Sequence, residues 1–197
     1  MKKWIVGLAL LLSVSTAYAE TEVSGNVGYH IWSQTGHTFR YSDVHDKEFN
    51  GWCAQLEGTQ WWDRWGVYGY IGMDEGVKQE IFSDWGYEAD IWYAGVGGKW
   101  RTDPERKLVG YVGGGLNFTH MDNRYQVNPQ YPIGRRSESW DHFGPDVVTG
   151  LNYYLSPRYF VTLNGRYTWN RMGSEVYGKT SFDSGGLRTY LGFGVSF

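Results

Sequence analysis

His120, Asp122, Asp141 and His142 have the side-chain types for acid–base chemistry, and they form two close pairs along the chain. A carboxylate that holds one imidazole nitrogen leaves the other to take a proton from water, which is general-base hydrolysis. The competing reading is a polar loop, where His and Asp are common. A second group, His37, Asp43, His45 and Asp46, has metal-ligand types at irregular spacing, which suits a solvated loop better than a coordination site. Cys53 is the single cysteine, so a disulfide framework and a Cys-based zinc finger are both excluded. With no base adjacent in sequence, it reads as a small packing residue rather than a nucleophile. No cofactor is implied. Arg40, Arg124, Arg135, Arg136, Arg171 and Lys179 fall in polar stretches. They either contact phosphates, which Arg can hold by paired hydrogen bonds, or are ordinary loop charge.

The elements that carry these residues are strands. In segment 159–170, Tyr159, Val161, Leu163, Gly165, Tyr167 and Trp169 alternate with Phe160, Thr162, Asn164, Arg166, Thr168 and Asn170. That is period two, the strand period. Segments 23–31, 143–155 and 187–197 behave alike. Residues 1–19 are different: Lys2 and Lys3, an apolar run over 4–12, then Ala17-Tyr18-Ala19. This is the pattern of a secretory signal peptide, which leaves 20–197 as the domain to be folded. Beyond it no apolar stretch approaches the ~20 residues of a membrane-crossing helix. The mean hydropathy of −0.50 agrees. A formal net charge of −3 makes nucleic acid a poor partner.

A soluble β-sandwich turns its apolar faces inward, whereas a membrane barrel turns them to lipid and fills its lumen with polar residues and glycine. The chain has 11 Trp, 16 Tyr and 28 Gly, and many of the Trp mark strand ends rather than centres. Trp61, Trp62, Trp65 and Trp100 sit near short turns, and Trp32, Trp140 and Trp169 near long connections. Charges such as Asp146 and Arg166 stand in the middle of strands. These features favour the membrane form: an all-β, eight-stranded antiparallel up-and-down transmembrane β-barrel.

The eight segments lie near 22–33, 51–61, 65–73, 87–100, 108–119, 140–155, 159–170 and 187–197. Tight turns fall at 62–64, 102–106 and 156–158, and long connections at 34–50, 74–86, 120–139 and 171–186. An Arg-x-x-Val repeat follows the turns (Arg64/Val67, Arg106/Val109, Arg158/Val161). It points Val109 to lipid, whereas alternation points Leu108, Val112, Leu116 and Phe118 there, so facing in the fifth segment stays open. It stays open in the fourth as well. Asp146 and Arg166 lie about equally far from the Ser156-Pro157-Arg158 turn, so they should lie side by side in the lumen. Arg188 is expected beside them and Glu57 is a fourth member. Eight strands leave an interior that side chains just fill, so this network should close the lumen and disfavour a small-solute pore.

The segment Tyr190-Leu-Gly192-Phe-Gly-Val195-Ser-Phe197 resembles the terminal signal read by the barrel assembly machinery of bacterial outer membranes. The chain also resembles the small barrels of the OmpX/Ail/Lom family, and more loosely the OmpA membrane domain and opacity-type proteins. The resemblance rests on Phe49-Asn-Gly, Asp63-Arg-Trp-Gly-Val-Tyr-Gly, Tyr93-Ala-Gly-Val-Gly-Gly-Lys-Trp-Arg, Leu108-Val-Gly-Tyr-Val-Gly-Gly-Gly and Gly150-Leu-Asn-Tyr-Tyr-Leu-Ser-Pro-Arg-Tyr-Phe-Val. It covers most of the domain but not its loops. It implies an integral outer-membrane location, family members being described as adhesins, serum-resistance factors or proteins of unknown role. The chain itself reads as a monomer in contact with lipid and lipopolysaccharide, serving envelope integrity, lipopolysaccharide contact or adhesion. The alternative is a hydrolase of lipid A or peptides at the rim, using the His120 group. A barrel-type lipid A deacylase would carry His-x-Ser where this chain has Trp169-Asn170-Arg171. A palmitoyltransferase-like barrel would begin with an amphipathic helix, whereas here a strand starts almost at once.

Overall fold

The computed structural model describes residues 19–32, 51–82, 85–126, 136–169, 171–174, 180–183 and 185–197. Its strands are β1 (Ala19–Trp32), β2 (Gly51–Trp62), β3 (Trp65–Phe82), β4 (Trp85–Arg101), β5 (Leu108–Gln126), β6 (Arg136–Tyr154), β7 (Tyr159–Thr168), β8 (Arg171–Ser174), β9 (Thr180–Asp183) and β10 (Gly186–Ser196). Eight of them close into an antiparallel barrel in the order β1-β10-β7-β6-β5-β4-β3-β2, while β8 and β9 form a separate hairpin. The first and last barrel strands pair from Glu22↔Ser196 to Trp32↔Gly186. Reciprocal bonds between Thr21 and Phe197, at 3.3 and 2.9 Å, finish that seam.

Strand length departs from expectation on one side. The connection expected over 74–86 is strand almost throughout, since β3 runs on to Phe82 and β4 starts at Trp85. Likewise β5 and β6 extend through most of 120–139, and the hairpin occupies part of 171–186. In the added part of β3 polar and apolar residues mix in both alternating sets (Glu75, Val77, Gln79, Ile81 and Lys78, Glu80, Phe82) and the register shifts after Asp74, so the sequence pattern reads as loop although the backbone stays paired.

The outer wall is the inverse of a soluble surface. Val27, Leu56, Ile71, Val96, Val112, Leu116, Leu151, Leu163 and Leu191 are all well exposed. Inside lie Glu57, Lys99, Asn117, Asp146, Arg166 and Arg188, all buried. Such a wall is stable only against hydrocarbon. In the fifth strand alternation wins over the turn repeat: Val109 is buried in the lumen, while Leu108, Val112 and Leu116 face out. In the fourth, Tyr93 and Lys99 point in and Trp92 and Val96 point out. Trp61, expected in the interfacial belt, is 1% exposed and lies in the lumen beneath Arg101, 4.6 Å from its guanidinium carbon. Trp62, Trp65 and Trp169 are exposed as a belt requires. The side chains of Trp32 and Trp140 lie outside the described residues.

Glycine makes room for the lumen's rings. A Cβ at Gly95 would come within 2.5 Å of the Tyr70 ring, and one at Gly72 within 2.5 Å of the Tyr93 ring. Each tyrosine therefore lies flat across a glycine on the neighbouring strand, filling the interior without widening the barrel.

Leu163 faces out midway along β7, paired with Leu191 and Leu151 on either side. Leu163→Arg should cost about 2–4 kcal/mol in reversible unfolding from lipid, because it places a charge near the bilayer midplane. Thr162→Arg, buried and lumen-facing, should behave differently. Equal effects at the two positions would refute the assigned facing.

Candidate functional site

Two polar assemblies stand out, one inside the barrel and one on its outer face. The central member of the first is Arg166, fully buried on β7. Register pairs Val148 with Arg166 and Asp146 with Thr168, so Asp146 and Arg166 are diagonal neighbours on the lumen face. Arg166 donates to Asp146 through Nη1 and to Glu57 through Nη2, the latter at 2.7 Å. Its guanidinium lies 3.7 Å from the centroid of Tyr70. The hydroxyls of Tyr70 and Tyr68 donate to Asp146 at 3.1 and 3.3 Å, and Asn117 donates to the Tyr70 oxygen at 2.8 Å. Lys99 donates to Glu57 and lies over the Tyr111 ring at 4.5 Å. Two cations and two carboxylates thus neutralise one another away from bulk water.

Arg188 is not part of this group. It is the register partner of Arg166 on the next strand, and like charges directly opposite repel. A separate carboxylate answers it. Asp74 accepts from Arg188 Nη2 at 2.8 Å and from Nε at 3.2 Å, and pairs with His30 Nδ1 at 2.9 Å. Arg188 also donates to Thr168 at 3.1 Å and covers Tyr93 at 4.3 Å. Tyr93 and Tyr190 share a hydrogen bond of 2.7 Å. Nearer the short turns a third group forms, in which Arg101 meets Glu20 at 2.7 Å and Glu22 at 3.6 Å.

The sequence reading missed Asp74, Lys99 and His30 as network members. Asp74 falls in the connection expected over 74–86, yet it continues the face of Tyr68 and Tyr70 at strict period two. Lys99 follows Tyr93, Gly95 and Gly97 in the same way. His30 lay on a polar face already visible in the first segment. Of the terminal signal, Tyr190 and Gly192 point inward whereas Phe197 points out, 78% exposed.

The second assembly faces lipid. His120 bonds Asp141 through Nδ1 at 2.5 Å, and its Nε2 lies 3.4 Å from Asp122. The imidazole packs on Trp92 at 5.2 Å, above the contacts of Phe118 with Trp92 and Phe143. These residues occupy the outer rim beyond the last apolar positions of β5 and β6. His142 does not join them: alternation puts it on the lumen face with Gly144 and Asp146. Carboxylates at both ring nitrogens favour the charged imidazole, which has no lone pair to accept a proton from water. Among the described residues there is no cluster of three or more His, Cys, Asp or Glu able to hold a metal.

The loop candidates cannot be placed. Arg40, Arg135 and Lys179 lie outside the described residues, as do His37, Asp43, His45 and Asp46. Arg124, Arg136 and Arg171 belong to β5, β6 and β8, and their side chains are outside the described part.

No family model matches the sequence, and no curated protein matches it either. Solved structures share its fold. Neisserial surface protein A superposes with a TM-score of 0.59 at 13% identity, covering 90% of this chain and 97% of that one. A major outer membrane protein of Thermus thermophilus gives 0.63 at 10% identity, covering 91% and 99%. The attachment invasion locus protein Ail of Yersinia pestis gives 0.55 at 14% identity, covering 92% and 100%. The eight-stranded barrel architecture is therefore shared with small outer-membrane proteins.

Removing one partner of a buried pair strands the other charge, at a cost of about 3–5 kcal/mol. Arg166→Ala and Asp146→Ala should each destabilise the barrel on that scale. Together they should cost less than the sum of the two, as a double-mutant cycle in lipid would read. Strict additivity would mean that the two residues do not interact.

Proposed function

We propose that the protein is an integral outer-membrane barrel with a closed lumen, acting through the surface it raises above the membrane. Residues 1–19 serve as its export signal. One observation carries this reading: four neighbouring strands outgrow the other four. Pairing of β2 with β3 ends at Cys53↔Asp74, and pairing of β6 with β7 ends at Asp146↔Thr168. Beyond those points β3 and β4 continue to Phe82↔Trp85, and β5 and β6 to Tyr125↔Arg136. At about 3.3 Å per residue this makes a four-stranded wall roughly 20 Å tall. Past its last ladder pair β6 still accepts from the Trp169 N–H at the Pro145 carbonyl, at 3.1 Å, and touches β8, whereas among the described residues the β3 edge beyond Asp74 has no ladder partner. Unpaired backbone on an edge strand is a template for another chain.

A wall of this kind suits an adhesive or structural contact, with lipopolysaccharide or an external polymer as ligand. The fold supports the placement, being that of proteins described as surface, attachment and major outer-membrane proteins. Ail was also solved with the heparin analogue sucrose octasulfate. The basic residues of this chain, including Arg124 and Arg136 on β5 and β6 near the wall's top and Arg135, which precedes Arg136 in the sequence, are the groups that would meet such polyanions. The packed lumen disfavours a solute pore.

A second reading, a lipid-directed hydrolase, draws on the His120–Asp141 contact at the lipid-facing rim. The absence of His142 from that group and the carboxylate on each ring nitrogen weigh against it.

The two readings separate cleanly. Arg135→Ala with Arg136→Ala should weaken binding to purified lipopolysaccharide, with the difference shrinking as salt screens the lost charges. His120→Ala should leave the lipid A composition of expressing cells unchanged. Unaltered lipopolysaccharide binding would overturn the polyanion contact, and a lost lipid A modification in His120→Ala would establish the hydrolase.

A further inference from the structure

The short turns of the barrel each end on a basic residue that is held in the same way. Arg64, Lys107 and Arg158 stand immediately before β3, β5 and β7. Each backbone carbonyl accepts an N–H from the last residue of the neighbouring strand at 2.8 Å: Arg64 from Arg101, Lys107 from Tyr154 and Arg158 from Ser196. The strand order puts these junctions, β3/β4, β5/β6 and β7/β10, at every second place around the mouth. The Arg-x-x-Val repeat gives the middle place to Arg106, but the backbone gives it to Lys107. Arg106 pairs instead with Asp103 of its own turn, at 3.5 Å.

Arg64, Lys107 and Arg158 are all exposed. Each precedes a large residue that is well exposed on the outer wall: Trp65, Leu108 and Tyr159. Register sets these against Trp100, Tyr153 and Val195. Aromatic residues at the edge of an apolar wall mark the depth of the lipid headgroups. A cation one residue beyond can lay its methylene stem on that wall and bring its charged end to a phosphate. Carboxylates share the rim, but Glu20 is held by Arg101 at 2.7 Å and Asp103 by Arg106. Asp63 and Glu105 are exposed. The rim is thus mixed in charge, and what distinguishes the three cations is their place beside the lipid-facing wall.

We propose that Arg64, Lys107 and Arg158 form a ring of binding positions for the phosphates of anionic phospholipids in the periplasmic leaflet. This rests on the outer-membrane placement proposed above, in which the short turns lie on the periplasmic side. The preferred lipid is one whose headgroup carries no ammonium, such as phosphatidylglycerol. Its phosphate has no internal counter-charge, so it gains more from an Arg or Lys than phosphatidylcholine does. Because each position is fixed through its backbone carbonyl, the side chain can follow a mobile headgroup without loosening the barrel.

Electron spin resonance tests this with chain-labelled phosphatidylglycerol or phosphatidylcholine, each a trace in phosphatidylcholine vesicles that hold the barrel. The motionally restricted fraction should be severalfold larger for phosphatidylglycerol, and that excess should shrink as salt rises. Arg64→Gln, Lys107→Gln and Arg158→Gln together should remove most of it, whereas Arg106→Gln should leave it. An unchanged excess in the triple variant, or an equal loss in Arg106→Gln, overturns the ring. Should the triple variant not insert, Arg158→Gln alone decides, since its turn carries no carboxylate: a reduced excess supports the ring and an unchanged one overturns it. Wild-type protein that inserts but shows no preference overturns this inference alone. Protein that does not insert into vesicles overturns the membrane placement as well.

Discussion

Charge inside an eight-stranded barrel must be answered by charge, because the interior is too narrow for bulk water. Every other feature of the lumen follows from that. Arg166 and Arg188 are forced side by side by strand register, and each has drawn its own carboxylate, Asp146 with Glu57 for one and Asp74 for the other. Tyrosines then lie under the guanidinium groups, where their ring faces attract cations and their hydroxyls complete the carboxylates' hydrogen bonds. Glycines on adjoining strands leave the gaps into which those rings fit. All of these contacts are made among the barrel's own side chains, which supports the proposed closed lumen.

The outer face obeys a different rule and has the freedom that the lumen lacks. Apolar residues there need only match hydrocarbon, so their identities vary among Leu, Val, Ile and Trp without close fitting. Above the belt that constraint lapses. The backbone pairing of β3 to β6 continues past it, and on the outer side His120 is tied to Asp122 and Asp141.

The barrel was legible in the sequence because lipid imposes period two on every crossing strand. Tyr159 to Thr168 shows it without exception. The wall was not legible, because beyond Asp74 the third strand mixes polar and apolar residues and shifts register, which hides the period of the hairpin it makes with the fourth. The network was half legible. Asp146 and Arg166 are joined across one tight turn, so counting residues from Pro157 brings them to within one diagonal step of each other. Arg188 and Asp74 are joined across the barrel between β10 and β3, and no count along the chain predicts a partner on the far wall. Trp61 failed for a related reason: adjacent tryptophans at a strand end must face opposite ways, and one of the two had to be inside.

The seam between β1 and β10 has a consequence for how the molecule comes into being. Thr21 and Phe197 close the cylinder, so one of its ladders joins segments separated by nearly the whole chain. Neighbouring hairpins such as β2–β3 are local and can form early, but ring closure carries a loop entropy set by that long separation. Until both segments are present together, the other six strands form an open sheet with two long edges and an apolar face. Folding is therefore an all-at-the-end event, and its vulnerable species is the nearly complete sheet that still lacks its last join.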